Sequence, residues 1–122
     1  MIFVENLPIY VQIADDIKDQ IVAGKLADGD KLLSLREYSL LYAVTALTMQ
    51  RALGLLESED IVETKKGIGS FVKADAAAQL KVRLVDDLIN DFIARAGKMG
   101  LSSVEIMHRM AQAVAKMGGE TK

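Results

Sequence analysis

The stretch SLREYSLLYAVTALTMQRALGLLE, residues 34–57, decides the fold of this chain. Ser34 and Glu37 have the S-x-x-E spacing of a capping box, which predicts a short helix that runs to about Tyr42. Thr45 is the N-cap candidate of a second helix only a few residues later. The apolar residues of that second helix recur at i, i+3, i+4 and i+7 and are Met49, Ala52, Leu53 and Leu56. Two helices joined by so tight a turn form a helix-turn-helix unit.

The residues on either side of this unit complete a familiar pattern. Before it, isoleucine recurs every fourth residue after Pro8, which predicts a helix that ends in a left-handed cap at Gly24. After it, the segments 61–64 and 70–72 are β-prone and flank the glycine-containing, basic run KKGIG, so they predict a β-hairpin. Three helices followed by a hairpin make a winged helix-turn-helix, whose wing is the hairpin beside the second helix of the unit.

The remainder of the chain predicts a junction over residues 73–78, a long helix over residues 79–98, and a last helix after the capping box of Ser102 and Glu105. Two helices alone hide too little apolar surface, so a second copy of the chain is the simplest partner for them. The residues expected at this dimer interface are Leu80, Leu84, Leu88, Phe92, Val104, Met107, Ala111 and Val114.

The predicted fold class is therefore mostly α with a small β-hairpin. Residues 1–73 are expected to form the winged helix-turn-helix, and residues 74–122 to form a linker and a two-helix dimerisation segment.

Composition argues against most enzyme classes. The 122 residues include no cysteine, which excludes a disulfide framework, a thiolate metal site and a cysteine nucleophile. His108 is the only histidine, so no catalytic residue, metal ligand or cofactor site is expected. The start lacks the basic region of a secretory signal, and the longest charge-free run, residues 38–50, is too short to span a bilayer. We expect a cytoplasmic protein with no membrane partner and no enzymatic activity.

Net charge alone does not point to nucleic acid. The 15 basic and 17 acidic residues give −2, and residues 1–73 hold 8 basic and 11 acidic residues, or −3. Support for a nucleic-acid partner must therefore come from where individual basic residues lie.

With these elements placed, the chain resembles the GntR family of bacterial transcription regulators. The matching strings are PIYVQI (8–13), GKL (24–26), GDKL (29–32), SLRE (34–37), TMQRA (48–52), LE (56–57) and GIGSFV (67–72). They follow the family's order, and the two-helix tail resembles the YtrA-type subfamily, whose members lack a large effector-binding domain. The chain departs from the family at Leu33, where proline is usual, and at residues 45–47, where polar residues are common.

The resemblance implies a homodimeric regulator that binds double-stranded DNA at a palindromic operator, with repression the more usual outcome. The operator sequence, the regulated genes and the existence of a small-molecule effector stay open. A second interpretation is a winged helix that binds proteins and has lost DNA binding, which the −3 balance and Leu47 favour.

The resemblance gives Arg36 a DNA contact, often to guanine, whose O6 and N7 match a forked guanidinium. The alternative is a solvated surface arginine. Ser34 is first a helix cap; the alternatives are that it serves only as the cap, or that its hydroxyl or the adjacent N–H also touches phosphate. Outward positions of the second helix of the unit complete this set: Thr45, Leu47, Thr48, Gln50 and Arg51.

These outward positions have different expected roles. By resemblance, Thr45 and Thr48 bind phosphate or base edges and Arg51 binds phosphate. Leu47 can offer only apolar contact, for example to a thymine methyl, and its alternative is packing against the preceding helix.

The predicted wing tip adds the last DNA-binding candidates, Lys65, Lys66, Gly67 and Gly69. The two lysines form the densest basic spot of the chain, and the glycines allow the tip to approach a backbone closely. The alternative for this segment is a solvated hairpin with glycines that serve only its turn.

Overall fold

The computed structural model describes residues 1–118, and the predicted second segment, 74–122, therefore runs four residues beyond the described part. Within residues 1–118 the fold is mostly α with one β-hairpin, as predicted. The elements are α1 Ile9–Val22, α2 Leu35–Tyr42, α3 Ala46–Ser58, β1 Val62–Lys65, β2 Gly69–Val72, α4 Ala76–Lys98 and α5 Ser103–Lys116.

The chain divides into two compact units, the first being Met1–Val82 and the second beginning at Arg83. The predicted boundary between residues 73 and 74 lies in the loop before α4, whereas the division between the units lies within α4. The assignment of DNA binding to one part and dimerisation to the other stays a prediction.

The core of the first unit joins α1 to the helix-turn-helix. Ile13, Ile17 and Ile21 are fully buried, as the fourfold repeat predicted, and Gly24 ends the helix with φ +82°. Ile9, the first member of that repeat, is exposed. The other large core side chains come from the helix-turn-helix, from the hairpin and from residues beside them, and are Leu32, Tyr38, Tyr42, Met49, Leu56, Ile61, Val62, Val72 and Leu80.

α4 begins at Ala76 rather than at the predicted Gln79. The reason is a contact distant in sequence: the carboxylate of Asp28 accepts hydrogen bonds from the N–H groups of Asp75 (2.8 Å) and Ala77 (3.5 Å). These bonds satisfy backbone donors at the start of a helix, which have no intrahelical partner. Ala76 is itself buried in the core, so the expected junction is partly helical.

In the second unit, α5 follows the predicted capping box. Ser102 Oγ accepts from the N–H of Glu105 (3.2 Å), and Glu105 Oε1 accepts from the N–H of Ser102 (3.1 Å). Between residues 83 and 118 the buried apolar residues are Ala96 and Ile106. A wide apolar surface on α4 and α5 is left exposed.

No single helix between residues 1 and 118 is long and apolar enough to cross a bilayer. The one pair of helices with the required length and composition, α2 with α3, bends by 111°.

Candidate nucleic-acid interface

The turn between α2 and α3 has helix-turn-helix geometry. The two helices bend by 111°, within the usual range of about 90–120° for this motif. Ala43 makes the turn in the left-handed region, with φ +56°, and the N–H of Val44 donates to the carbonyl of Ser39 (3.0 Å). α3 is therefore the recognition helix of this unit, by its position in the motif.

The predicted capping box fixes the start of α2. Ser34 Oγ accepts from the N–H of Glu37 (3.1 Å), and Glu37 Oε1 accepts from the N–H of Ser34 (2.8 Å). These bonds to Ser34, together with the charge of Lys31, hold the pKa of Glu37 below its ordinary value. Arg36 is exposed in this same first turn, so its guanidinium projects from a backbone that two hydrogen bonds hold in place.

The start of α3 is held by a pair of hydroxyls. Thr45 Oγ1 accepts from the N–H of Thr48 (3.2 Å) and donates to Thr48 Oγ1 (3.0 Å). Thr45 is exposed and Thr48 is half-buried. The predicted N-cap of Thr45 is confirmed, and both hydroxyls lie at the helix terminus, where backbone N–H groups favour a phosphate.

The outward face of α3 carries the side chains that the sequence placed there. Gln50 and Arg51 are exposed, and Met49 faces the core. Leu47 is 59% exposed, so it does not pack away against α2. Its exposure leaves it free to contact a thymine methyl, and that contact stays a prediction.

The wing is the antiparallel pair of β1 and β2, with Lys65 opposite Gly69. Gly67 turns the tip with φ +77°, and the N–H of Ile68 donates to the carbonyl of Lys65 (2.9 Å). The ammonium of Lys65 lies 5.0 Å from the centre of the Phe71 ring, a cation–π distance. The Lys65 ammonium therefore lies over the Phe71 ring, and Lys65 and Lys66 are both exposed.

A short strand-like segment at residues 29–32 pairs with β2 of the hairpin. The sequence pattern did not predict this pairing. Lys31 pairs with Phe71 in an isolated antiparallel bridge. The N–H of Leu32 donates to the carbonyl of Ser70 (2.8 Å), and the N–H of Gly29 donates to that of Val72 (2.8 Å). The only signal in the sequence was the string GDKL, which carries no strand periodicity.

This strand-like segment brings the wing and the start of α2 to one groove of about 480 Å³. Ser34 and Gly69, both predicted DNA contacts, line it together with Lys31 and Glu37. Leu53 of the recognition helix also lines the groove, so the groove borders α3.

Ion pairs explain why the net charge of residues 1–73 does not show which basic side chains are available to bind DNA. Lys18 pairs with Glu59, and Lys73 pairs with Asp60 at 2.7 Å, so these two lysines are neutralised. Basic side chains without an ion pair among residues 1–118 include Lys31, Arg36, Arg51, Lys65 and Lys66. Unpaired positive charge is thus present on α2, α3 and the wing despite the acidic total.

The residues predicted for dimerisation divide into two groups. Leu80 is buried in the core of the first unit, so it packs within its own chain and is not available to a partner. Leu84 is half-buried. The other predicted residues are exposed and are Leu88, Phe92, Val104, Met107, Ala111 and Val114.

Comparison with known proteins agrees with this geometry. The family described as bacterial regulatory proteins, gntR family, matches residues 9–72. The uncharacterized HTH-type transcriptional regulator YhcF of Bacillus subtilis is 36% identical over 86% of this chain and 88% of its own length. The HTH-type transcriptional repressor YtrA of the same organism is 29% identical, over 90% of this chain and 86% of its own length.

Two solved structures extend the comparison. A GntR family transcriptional regulator from Listeria monocytogenes has a TM-score of 0.77 and 34% identity, over 90% of this chain and 98% of that one. The AraR DNA-binding domain in complex with operator ORX1 has a TM-score of 0.55 and 28% identity, over 58% of this chain and 92% of that one. The first similarity spans both units, and the second is to a domain bound to DNA.

Proposed function

The chain belongs to the GntR family of bacterial regulatory proteins, of the YtrA type, and on that premise we propose that it represses transcription as a homodimer on a palindromic operator. The family identifies a DNA-binding transcription regulator. Repression, the homodimer and the residue roles are the proposal.

The observation that carries the proposal is the exposed Arg36 in the first turn of α2, on the backbone fixed by the Ser34–Glu37 capping box. A guanidinium is a rigid fork of donors that matches guanine O6 and N7 in the major groove. Because the helix turn that carries it is held by two hydrogen bonds, less backbone freedom is lost on binding. Arg36 is therefore suited to read a base, whereas the ammonium groups of the wing lysines lack a fork and are suited to bind phosphate.

The homodimer is supported by the exposed apolar side chains of α4 and α5. Leu88 is 70% exposed, and burial of one such side chain contributes about 1.5–3 kcal/mol. Several large apolar side chains exposed on the same two helices are typical of an interaction site. A twofold dimer would present two recognition helices related by symmetry, which requires a DNA site with the same symmetry. Repression would follow if the bound dimer occludes a promoter.

Selection of bound sequences from a pool of random duplexes tests this function. We expect two inverted half-sites separated by about one helical turn, or a multiple of it. The Leu88→Asp variant should enrich single half-sites if the dimer sets the spacing. Enrichment of an asymmetric site by the unchanged protein would contradict the homodimer, and no enrichment at low salt would contradict DNA reading itself.

A further inference from the structure

We propose that Lys31 is a further DNA-contacting residue, whose ammonium binds a backbone phosphate at the groove between the wing and α2. This role rests on the proposed function, because it requires duplex DNA at that face. Lys31 lies in the matching string GDKL (29–32), but it is not among the DNA-binding residues that the resemblance implies. Its position in the structure supports such a role.

The backbone of Lys31 is held by the hairpin. It bridges to Phe71, and the adjacent N–H of Leu32 donates to the carbonyl of Ser70 at 2.8 Å. Residues directly opposite in an antiparallel pair point to the same face of a sheet. Lys31 therefore shares a face with Phe71, over whose ring the Lys65 ammonium already lies. Two cations are thus placed on one face of the wing.

The side chain of Lys31 is laid across the wing at a glycine. A Cβ atom built on Gly69 would lie 2.7 Å from Lys31 Cε, closer than real Cβ contacts. Gly69 also has φ +141°, which other residues rarely adopt. Hydrogen at this position leaves room for the lysine stem to cross the wing, and a stem that rests there loses less entropy when its ammonium binds.

The charge of Lys31 remains available. It forms no ion pair within residues 1–118, although it lies near enough to Glu37 to contribute to the lowered pKa of that carboxyl. Glu37 is itself committed to the N–H of Ser34. A lysine ammonium is a compact charge without a fixed fork, so phosphate is a better ligand for it than a base edge.

Lys31→Met tests the role directly, since methionine keeps an apolar stem of similar length and removes only the charge. Binding of the full chain to a selected duplex would be measured across a salt series. The slope of log K against log salt should fall by about two units, one for each copy in the bound dimer, with equal losses on matched and base-substituted duplexes. Lys25→Met, at an exposed lysine outside the groove, is the matched control and should leave the slope unchanged.

Gly69→Ala tests whether Gly69 positions the Lys31 side chain across the wing. The added methyl should displace the Lys31 terminus and weaken binding, and this loss should shrink when Lys31 is already methionine, because strain in the hairpin is common to both backgrounds. Equal losses in the two backgrounds would show that Gly69 does not position the Lys31 side chain.

The outcomes separate the two proposals. Duplex binding by the unchanged protein with an unaltered slope in Lys31→Met would overturn the role of Lys31 alone. No duplex binding by the unchanged protein would overturn the proposed function and this role with it.

Discussion

The hydroxyl of Tyr42 donates a 2.7 Å hydrogen bond to the carboxylate of Asp16, 26 residues earlier in the chain. Gln20 donates to the same carboxylate oxygen at 3.1 Å and to the Tyr42 hydroxyl at 3.4 Å. Burial, and then the bond to Asp16, raise the pKa of Tyr42, so its hydroxyl stays protonated and remains a donor. The last residue of α2 is thereby tied to α1 immediately before the turn that sets the direction of α3.

Tyr42→Phe should lower the free energy of unfolding by about 1.5–3 kcal/mol, the usual range for a hydrogen bond to a charged group. Urea denaturation would measure it. Tyr10→Phe is the matched control, because Tyr10 is half-buried and its hydroxyl makes no hydrogen bond within residues 1–118. If the two variants lose the same free energy of unfolding, the hydrogen bond from Tyr42 to Asp16 makes no measurable contribution to stability.

The capping box of α2 predicts a dependence of stability on acid pH. The folded-state pKa of Glu37 is depressed, so its carboxylate stabilises the fold above the ordinary value of 4.5. That contribution is lost as the pH falls through the depressed value. Unfolding free energy measured against pH should therefore decline less below pH 4.5 for Glu37→Gln than for the unchanged protein. Parallel curves would mean that the carboxylate charge plays no part in the cap.

The exposed apolar side chains of α4, among them Leu88, predict a dimer that one charged substitution dissociates. Leu88→Asp should raise the dimer dissociation constant by more than about 100-fold, because it removes about 1.5–3 kcal/mol of apolar burial from each of two copies. Asn90→Asp adds the same charge on the opposite side of the helix, two residues further on, and should have little effect. Sedimentation equilibrium would compare them, and a dimeric Leu88→Asp protein would place the interface elsewhere.

Local signals in the sequence predicted the helix-turn-helix well. Capping boxes and N-caps act over three residues, so Ser34, Thr45 and Ser102 could be identified as helix starts without the fold. The α3 residues expected in the core are likewise buried or half-buried. These features depend only on spacing along one helix.

Contacts distant in sequence account for what was missed. The cap from Asp28 to the start of α4 joins residues 47 positions apart. Leu80 has the same spacing as Leu84 and Leu88 along α4, yet it is buried in the core of the first unit. The strand-like edge at Lys31 is defined by its hairpin partner Phe71, and no periodic pattern marks it. Spacing along one element identifies an apolar face, but it does not say what covers that face.

The tip of the wing should act on all duplexes alike. Lys66 is an exposed cation on a glycine-containing turn, so Lys66→Ala should weaken matched and mismatched duplexes equally and lower the salt slope by about one unit for each copy in the bound dimer. Lys73→Ala is the control, since Lys73 is already paired with Asp60 at 2.7 Å. A loss confined to one duplex sequence would show instead that the tip reads bases.

The central claim is that Arg36 reads a base from the capped first turn of α2. Its most direct test is the affinity of Arg36→Ala for the selected operator and for the same operator with the contacted base pair substituted. We predict a loss of about 1–3 kcal/mol on the first duplex and much less on the second. Arg36→Lys should restore charge but not discrimination, because an ammonium lacks the fork. Equal losses on both duplexes would contradict the claim, and base reading would then pass to Thr45, Leu47, Thr48 or Gln50.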